Sequence, residues 1–589
     1  MEDFNLNALW CRALIEELLH SGLRHAILCP GGRSAIMAML LHNHFQLDTI
    51  IHGDERSAAF IALGITKIIH KPVIICTTSG SAVANLIPAL TEAYAAQLPL
   101  ILLTGDRPAS MRFSGAPQST KQIEICKPLV NASFDLCDPI DDENTLLALR
   151  SKIAELSKQL AENKTHGPVH INVPLHANLC TTEINPKWII PTYSELTLHG
   201  RFDAITYASI PFLKHTKSSL KKTKSLTDLK LNQKLRPGMK GLIIVGNNCS
   251  LSYVQMKLLA KKTQFPVIAD VVSQFRRPAI ENIIFNADVL MMNQLTQHNP
   301  ELIIHIGDAP IAHSIQSYLQ KQECLVLRID TKNNTKDFLY RSFERLEQPT
   351  DLELDELASK LEKGNIEWLT DWKLASKHAE KKTDQYIKQL AWSDVKVANI
   401  ICNNTQFDWL HLANSMAIRY GNILCKPTDH PQPIYGNRGV NGIDGTLGTF
   451  FGELYASKKS GLLLVGDQTF LHDLPALVNI RQYQLDGCIC ILNNNGNALF
   501  DLLAVARLPQ YKKIIRNPTD TQFSHIAASF GLSYRSCYNE NDLDRALMWS
   551  GNEDGIHIIE AIVPEDMTAK SFIELYKTIG KTEKQPIEM

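Results

Sequence analysis

A chain of 589 residues is too long for one hydrophobic core, and its length predicts three or four domains. Apolar residues make up 44% and charged residues 21%, which suits packed globular domains and excludes a disordered chain. Sixty basic side chains balance sixty-one acidic ones, excluding bulk attraction to nucleic acid or an anionic membrane, so an anionic substrate needs a local pocket.

The opening stretch MEDFNLNALWCRALIEELLHSGL reads as an amphipathic helix without the basic and apolar regions of a signal peptide. Residues 1–185 then alternate helical patterns with short apolar runs: HAILCP (25–30), TIIHG (49–53), PVIICTTSG (72–80), PLILLTG (99–105) and VHINVP (169–174). That rhythm predicts a mainly parallel sheet with helices on both faces, an α/β domain. Residues 186–240 read as a linker whose basic part, 214–240, is solvated. A central α/β domain over 241–365 follows from GLIIVG (241–246), FPVIAD (265–270), LIIHIG (302–307) and CLVLRID (324–330). The highly charged 351–390 stretch is predicted helical, with 366–394 as a helical linker. A third α/β domain, 395–589, repeats the grammar in FDWLHLANS (407–415), GLLLVGD (461–467), GCICILNNN (487–495) and GIHIIEAIV (555–563). Apolar runs such as GLLLV are far shorter than the ~20 residues that span a bilayer. Thirteen scattered cysteines, odd in number and without paired CxxC elements, argue against zinc or a disulfide framework and for the reduced cytoplasm.

The chemistry concentrates where strands end. Gly466-Asp467 and Asn493-Asn494 each follow a buried apolar strand, at the carboxyl ends where open α/β sheets bind ligands. The interval holds one helix and the next strand. Asp467 offers a carboxylate, Asn494 an amide oxygen and Gly496 a backbone carbonyl to one magnesium ion, which takes oxygen ligands and completes its shell with phosphate. The following helix is expected to aim its N-terminal N–H groups at the same phosphates. Taken singly, GD and NN are also ordinary turn residues.

Together with other blocks they resemble thiamine-diphosphate enzymes, whose diphosphate motif begins GD and ends NN. CPGGRS (29–34), GDERSAAFIALG (53–64), TTSGSAVANLIPALTEA (77–93), LLTGDRP (102–108), GAPQ (115–118), GPVHINVP (167–174), NRGVNGIDG (437–445), GDQTFLHDL (466–474) and NNNGNALFDLL (493–503) are similar to one branch, the 2-succinyl-5-enolpyruvyl-6-hydroxy-3-cyclohexene-1-carboxylate synthases of menaquinone biosynthesis. The resemblance implies decarboxylation of 2-oxoglutarate and transfer of the product carbanion to isochorismate. It also implies thiamine diphosphate with magnesium or manganese, a pyrimidine-binding first domain and a diphosphate-binding last domain.

Residue roles follow from the same resemblance. Glu55 would bond the aminopyrimidine N1′ and favour the imino form that deprotonates the thiazolium C2. Ile443 would wedge the cofactor into its bent shape, with Ser415, Gly466, Asp467, Asn494 and Gly496 completing the cofactor site. Both substrates are dicarboxylates, so Arg33, Arg107, Arg419 and Arg438 would bind them through planar guanidinium forks, helped by Gln118 and Ser415. Asp54 and Ser57 are positioned to cap the helix that Glu55 begins.

The chain departs from the family at Gly32, where serine is usual, and at Pro117, where asparagine is frequent. His313 and Ser314 stand where relatives carry a lysine-arginine pair, so recognition of the acceptor is expected to differ. A carboligase or decarboxylase of the same cofactor class with another acceptor, and an inactive cofactor-binding homologue, are the alternatives. The family arrangement pairs the first domain of one subunit with the last domain of another, implying a homodimer or a dimer of dimers with Glu55 and Asp467 from different chains. No nucleic-acid or integral-membrane partner is expected.

Overall fold

The computed structural model describes residues 5–112, 114–162, 167–176, 233–293, 299–330, 337–339, 344–478 and 480–580. Among the described residues three all-parallel sheets form, as the repeated apolar runs predict. The expectation for residues 186–232, including most of the basic stretch, lies outside the described residues.

The first sheet has the order β2-β1-β3-β4-β6-β5. Its strands are β1 (His25–Leu28), β2 (Asp48–Ile51), β3 (Val73–Thr77), β4 (Leu100–Asp106), β5 (Ala132–Asp135) and β6 (Val169–Pro174). Every residue of β3, β4 and β6 is buried, because helices cover both faces and the strands are continuous apolar runs rather than alternating ones. The helix Leu6–Leu19 forms as expected, but it is buried on nearly every side instead of being amphipathic. Even Glu17 is enclosed, where Arg150 Nε donates to it at 2.7 Å.

The second sheet has the order β11-β10-β9-β7-β8. It comprises β7 (Gly241–Val245), β8 (Val267–Ala269), β9 (Leu302–Ile306), β10 (Leu325–Asp330) and β11 (Glu344–Glu347). The charged stretch after it folds into helices Asp351–Lys360 and Ile366–Gln389. The second is more than a linker, since Trp368 and Trp372 are buried and Trp368 Nε1 donates to Gly241 O at 2.9 Å.

The third sheet, β13-β12-β14-β15-β17-β16, holds β12 (Trp409–Leu412), β13 (Ile434–Tyr435), β14 (Gly461–Gly466), β15 (Gly487–Asn493), β16 (Ser533–Cys537) and β17 (Ile556–Ile562). Between β14 and β15 lie a six-residue helix, Asp467–His472, and two 3-10 turns in place of one continuous helix. Pro475 opens the first turn region and has no N–H to extend a helix. After Gly496 the backbone runs through 3-10 turns from Ala498, and the next α-helix starts at Phe523. The element that follows Gly496 is thus a short 3-10 helix, Ala498–Leu502, rather than an α-helix.

By packing, the described residues form two compact units. One contains the first sheet together with Asn437–Lys458 and Thr469–Leu485. There the helix Thr446–Ser457 crosses the helix Glu55–Ile69 at glycines: a Cβ on Gly64 would lie 2.1 Å from Thr449 O, and one on Gly452 would lie 2.0 Å from Ile61 O. The backbones touch directly.

The other unit contains the second and third sheets. Arg276, fully buried after β8, donates to Ala269 O at 2.7 Å, Asn422 O at 2.8 Å and Phe285 O at 3.1 Å. Arg277 donates to Cys402 O at 2.7 Å, Gln432 Oε1 at 2.6 Å and Lys426 O at 2.9 Å. These two guanidinium groups tie the second sheet's loop to helices Asp394–Cys402 and Met416–Leu424 beside the third sheet.

Candidate active site

In the unit of the third sheet, β14 and β15 are parallel neighbours with Gly466 opposite Leu492. Asp467 and Asn494 therefore emerge side by side at the carboxyl edge. Asp467 Oδ2 accepts from Gly496 N at 2.6 Å and Oδ1 from Gln468 N at 2.7 Å. Burial pushes this carboxyl up to about 6, while the two backbone donors and Arg516 oppose the shift. Gly496 has φ +126°, and a Cβ there would lie 2.3 Å from Arg516 O, so only glycine fits the turn.

Asn494 is 7% exposed. Its Nδ2 donates to Asp394 Oδ2 at 2.9 Å and Thr568 Oγ1 at 3.2 Å, whereas Oδ1 is buried with no hydrogen-bond partner. A buried oxygen left unpaired costs roughly 1–3 kcal/mol, and a bound cation removes that cost. With the Asp467 carboxylate and the Gly496 carbonyl, the donors are all oxygen, the set a small hard dication takes. A Cβ on Gly466 would meet nothing within 4 Å, so the backbone beside Asp467 is open to a ligand. Ser415 follows β12 on the other side of the strand-order reversal between β12 and β14, with φ +69°. Its carbonyl accepts from Arg419 Nη1 at 2.5 Å.

In the unit of the first sheet, Glu55 opens the helix Glu55–Ile69, and Asp54 caps it by accepting from Ser57 N at 2.8 Å, as expected. Glu55 is half-buried, and its Oε2 accepts from Asn85 Nδ2 at 3.2 Å. The half-buried Ile443 belongs to a loop whose Gly445, φ +66°, sits so close to Phe60 that a Cβ would fall 1.9 Å from the ring. The Ile443 loop thus packs on the helix that Glu55 begins.

The first sheet also gathers Arg33, Arg107 and Gln118. Arg33 Nη1 donates to Leu175 O at 2.8 Å, and burial, with the Arg107 charge adding, lowers its pKa. Arg107 donates to Ser79 Oγ and Pro117 O, each at 2.7 Å, and to Gln118 Oε1 at 3.4 Å. Asp106 Oδ1 accepts from Arg107 N at 2.7 Å, fixing the backbone from which the guanidinium extends. Arg438 is half-buried in the segment before the Ile443 loop.

Comparison with known proteins decides the family. Residues 11–125 match the family described as thiamine pyrophosphate enzyme, N-terminal TPP binding domain, and residues 441–561 match the corresponding C-terminal TPP binding domain. A 2-succinyl-5-enolpyruvyl-6-hydroxy-3-cyclohexene-1-carboxylate synthase of Staphylococcus epidermidis is 30% identical over 96% of this chain and 96% of its own length. The synthase of Crocosphaera subtropica is 31% identical over 92% of this chain and 93% of its own. That of Enterococcus faecalis is 28% identical over 93% and 92%.

The chain belongs to this synthase family.

Within the synthase family's framework, one further feature of the second unit matters. A cavity of 1190 Å³ is lined by Arg419, His313, Ser314, Lys321, Tyr576 and Lys577, among others. His313 and Ser314, the departures noted in the sequence, thus share a cavity wall with Arg419. Asp288 is the acid of that wall, and its Oδ1 accepts from Tyr576 Oη at 2.6 Å.

Sequence reasoning missed Asp394, Thr568 and Arg516. Arg516 donates from Nη2 to Asn494 O at 2.7 Å and Glu565 O at 2.9 Å and pairs with Asp501. None of the three sits in a recognisable motif. Ser393-Asp394 reads as an ordinary helix start, which it also is.

Proposed function

We propose that the chain catalyses the reaction for which its relatives are named, decarboxylating 2-oxoglutarate and joining the remaining four-carbon fragment to isochorismate in menaquinone biosynthesis. The observation that carries this reading is the convergence of Asp467, Gly496 and the unpartnered Asn494 oxygen at two adjacent strand ends. Those residues would hold magnesium or manganese against the diphosphate. When bound, thiamine diphosphate supplies a thiazolium carbon that stabilises the carbanion left by decarboxylation.

The chain's own residues do the rest. Glu55 would hold the cofactor's aminopyrimidine ring and exchange a proton with it, and Ile443 would pack against the cofactor. Ser415 lies at the strand-order reversal beside the cofactor site. Arg33, Arg107 and Gln118 form one anion grip and Arg419 another, with Arg438 adding a further cation. Two dicarboxylates require such a divided set, because one guanidinium fork engages one carboxylate. A homodimer or dimer of dimers completes the site by pairing Glu55 of one chain with Asp467 of another. The cytoplasm is the proposed location. No helix among the described residues is long and apolar enough to cross a membrane.

The test is incubation of the chain with thiamine diphosphate, magnesium, 2-oxoglutarate and isochorismate, with products identified by mass spectrometry. The expected product is the named adduct. Release of carbon dioxide from 2-oxoglutarate without an isochorismate adduct would assign the chain a different acceptor.

A further inference from the structure

An amide is a metal ligand only through its oxygen, yet its oxygen and nitrogen ends are nearly the same shape. Something must choose which end faces the ion. At Asn494 the choice is made by two residues distant in sequence. Asp394, at the first position of the helix Asp394–Cys402, turns Oδ2 towards the Asn494 amide at 2.9 Å. Thr568, at the start of the helix Met567–Gly580, donates its hydroxyl to the same Oδ2 at 2.5 Å and receives Asn494 Nδ2 at 3.2 Å. All three side chains are buried.

The chemistry leaves one arrangement. The Thr568 hydroxyl has one proton and gives it to Asp394, so towards Asn494 it is an acceptor. Asp394 Oδ2, already receiving that proton, also accepts. Both neighbours therefore demand the NH₂ end of Asn494, and Oδ1 is driven to the opposite side, where it is buried and without a partner. With the amide reversed, its oxygen would face two acceptors and its NH₂ would repel the cation.

We propose that Asp394 and Thr568 are positioning residues that fix the Asn494 amide so that Oδ1 faces the divalent metal. The inference rests on the metal site proposed above. It makes the first residues of two helices, Asp394–Cys402 and Met567–Gly580, part of the cofactor machinery. Partners that orient a ligating side chain are generally worth about 10- to 100-fold in metal affinity.

The experiment measures Mn²⁺ affinity of the full-length chain by electron paramagnetic resonance in the presence of thiamine diphosphate, with the melting temperature of each apo variant recorded alongside. Thr568→Val, nearly the same shape, should weaken Mn²⁺ binding about 10-fold or more, and Asp394→Ala about 100-fold. Thr568→Ser, which keeps the hydroxyl, should stay within about 3-fold of wild type, a rescue that packing alone does not predict because serine lacks the methyl group. Asp467→Ala reports on the site itself and should lose binding. If Asp467→Ala loses binding while Thr568→Val and Asp394→Ala bind as wild type does, the positioning role is overturned and the metal site stands. If all three bind normally, the metal lies elsewhere and both readings fall. Should Asp394→Ala not fold, the contrast between Thr568→Val and Thr568→Ser decides alone.

Discussion

Asp467 Oδ2 accepts the backbone N–H of Gly496 at 2.6 Å, which locks two strand ends together before any ligand arrives. The carboxylate is thereby committed to a fixed position, and its burial raises the free energy of its charge until a cation shares it. Asp467→Ala and Asn494→Ala should each weaken binding of thiamine diphosphate with magnesium by at least about 10-fold, since each removes one oxygen ligand. Titration calorimetry checks this. Unchanged affinity in both variants would mean the metal is held by other residues.

Glu55→Gln should leave folding and cofactor affinity almost unchanged, because a glutamine oxygen still accepts from Asn85 Nδ2. It cannot exchange a proton with the aminopyrimidine ring. The expected fall in kcat is ~100-fold or more, the lower range for a lost acid–base role. Wild-type turnover in this variant would remove Glu55 from the mechanism.

His313 lines the cavity that contains Arg419, where a permanent cation would add to the grip on a carboxylate. His313→Lys should lower the isochorismate KM about 10-fold, as one charge-assisted hydrogen bond is worth roughly 1.5–3 kcal/mol. The 2-oxoglutarate KM should not change. A shift confined to the 2-oxo acid would assign this wall to the donor instead.

Burial raises the Asp288 carboxyl from 3.8 to about 6, against the pull of Tyr576, Arg276 and Asn422. The sign follows from linkage: the folded chain binds this proton more tightly, so the contribution is complete below 3.8 and is lost as pH rises through 6. Asp288→Asn retains an oxygen for Tyr576 and removes the charge. It should be more stable than wild type at pH 8 by up to roughly 3 kcal/mol, with the gap closing near pH 4. Melting curves of the two chains across that range test it; a pH-independent gap would rule out the titration.

Gly64→Ala should cost about 1–3 kcal/mol or more, because the new methyl group meets a backbone carbonyl that cannot rotate away. The separated helices would also displace Glu55, so kcat should fall with the melting temperature. A fully stable, fully active variant would show that the crossing can relax.

What the sequence concealed has a consistent physical cause. The strands β5, β11, β13 and β16 escaped notice, and all four lie at sheet edges. ASFD, ERLE and SYRSC mix polar with apolar residues because these strands are only partly buried, and IY is two residues long, so none of the four shows a continuous apolar run of strand length. The central strands, and the edge strands β2 and β8, were legible because each carries a run of consecutive apolar residues. Asp467 and Asn494 could be read because each directly follows such a strand, and the structure makes those strands neighbours. Asp394 and Thr568 could not, since each begins a helix far away in sequence and meets Asn494 only through the fold. The amphipathic reading of the opening helix failed because tertiary packing buries Glu16 and Glu17, which composition would place in water.

The paired arginines after β8 bear on how freely this architecture can be recombined. Most acceptors of Arg276 and Arg277 belong to residues 402–432, beyond the sequence of the second sheet. A fragment spanning only 241–365 would keep both guanidinium groups and lose those acceptors, at roughly 1–3 kcal/mol for each group left dry and unpaired. Chimeras that exchange the middle sheet between relatives should therefore carry the helix Met416–Leu424 and the loop to Gln432 with it. The heritable module here is discontinuous in the gene.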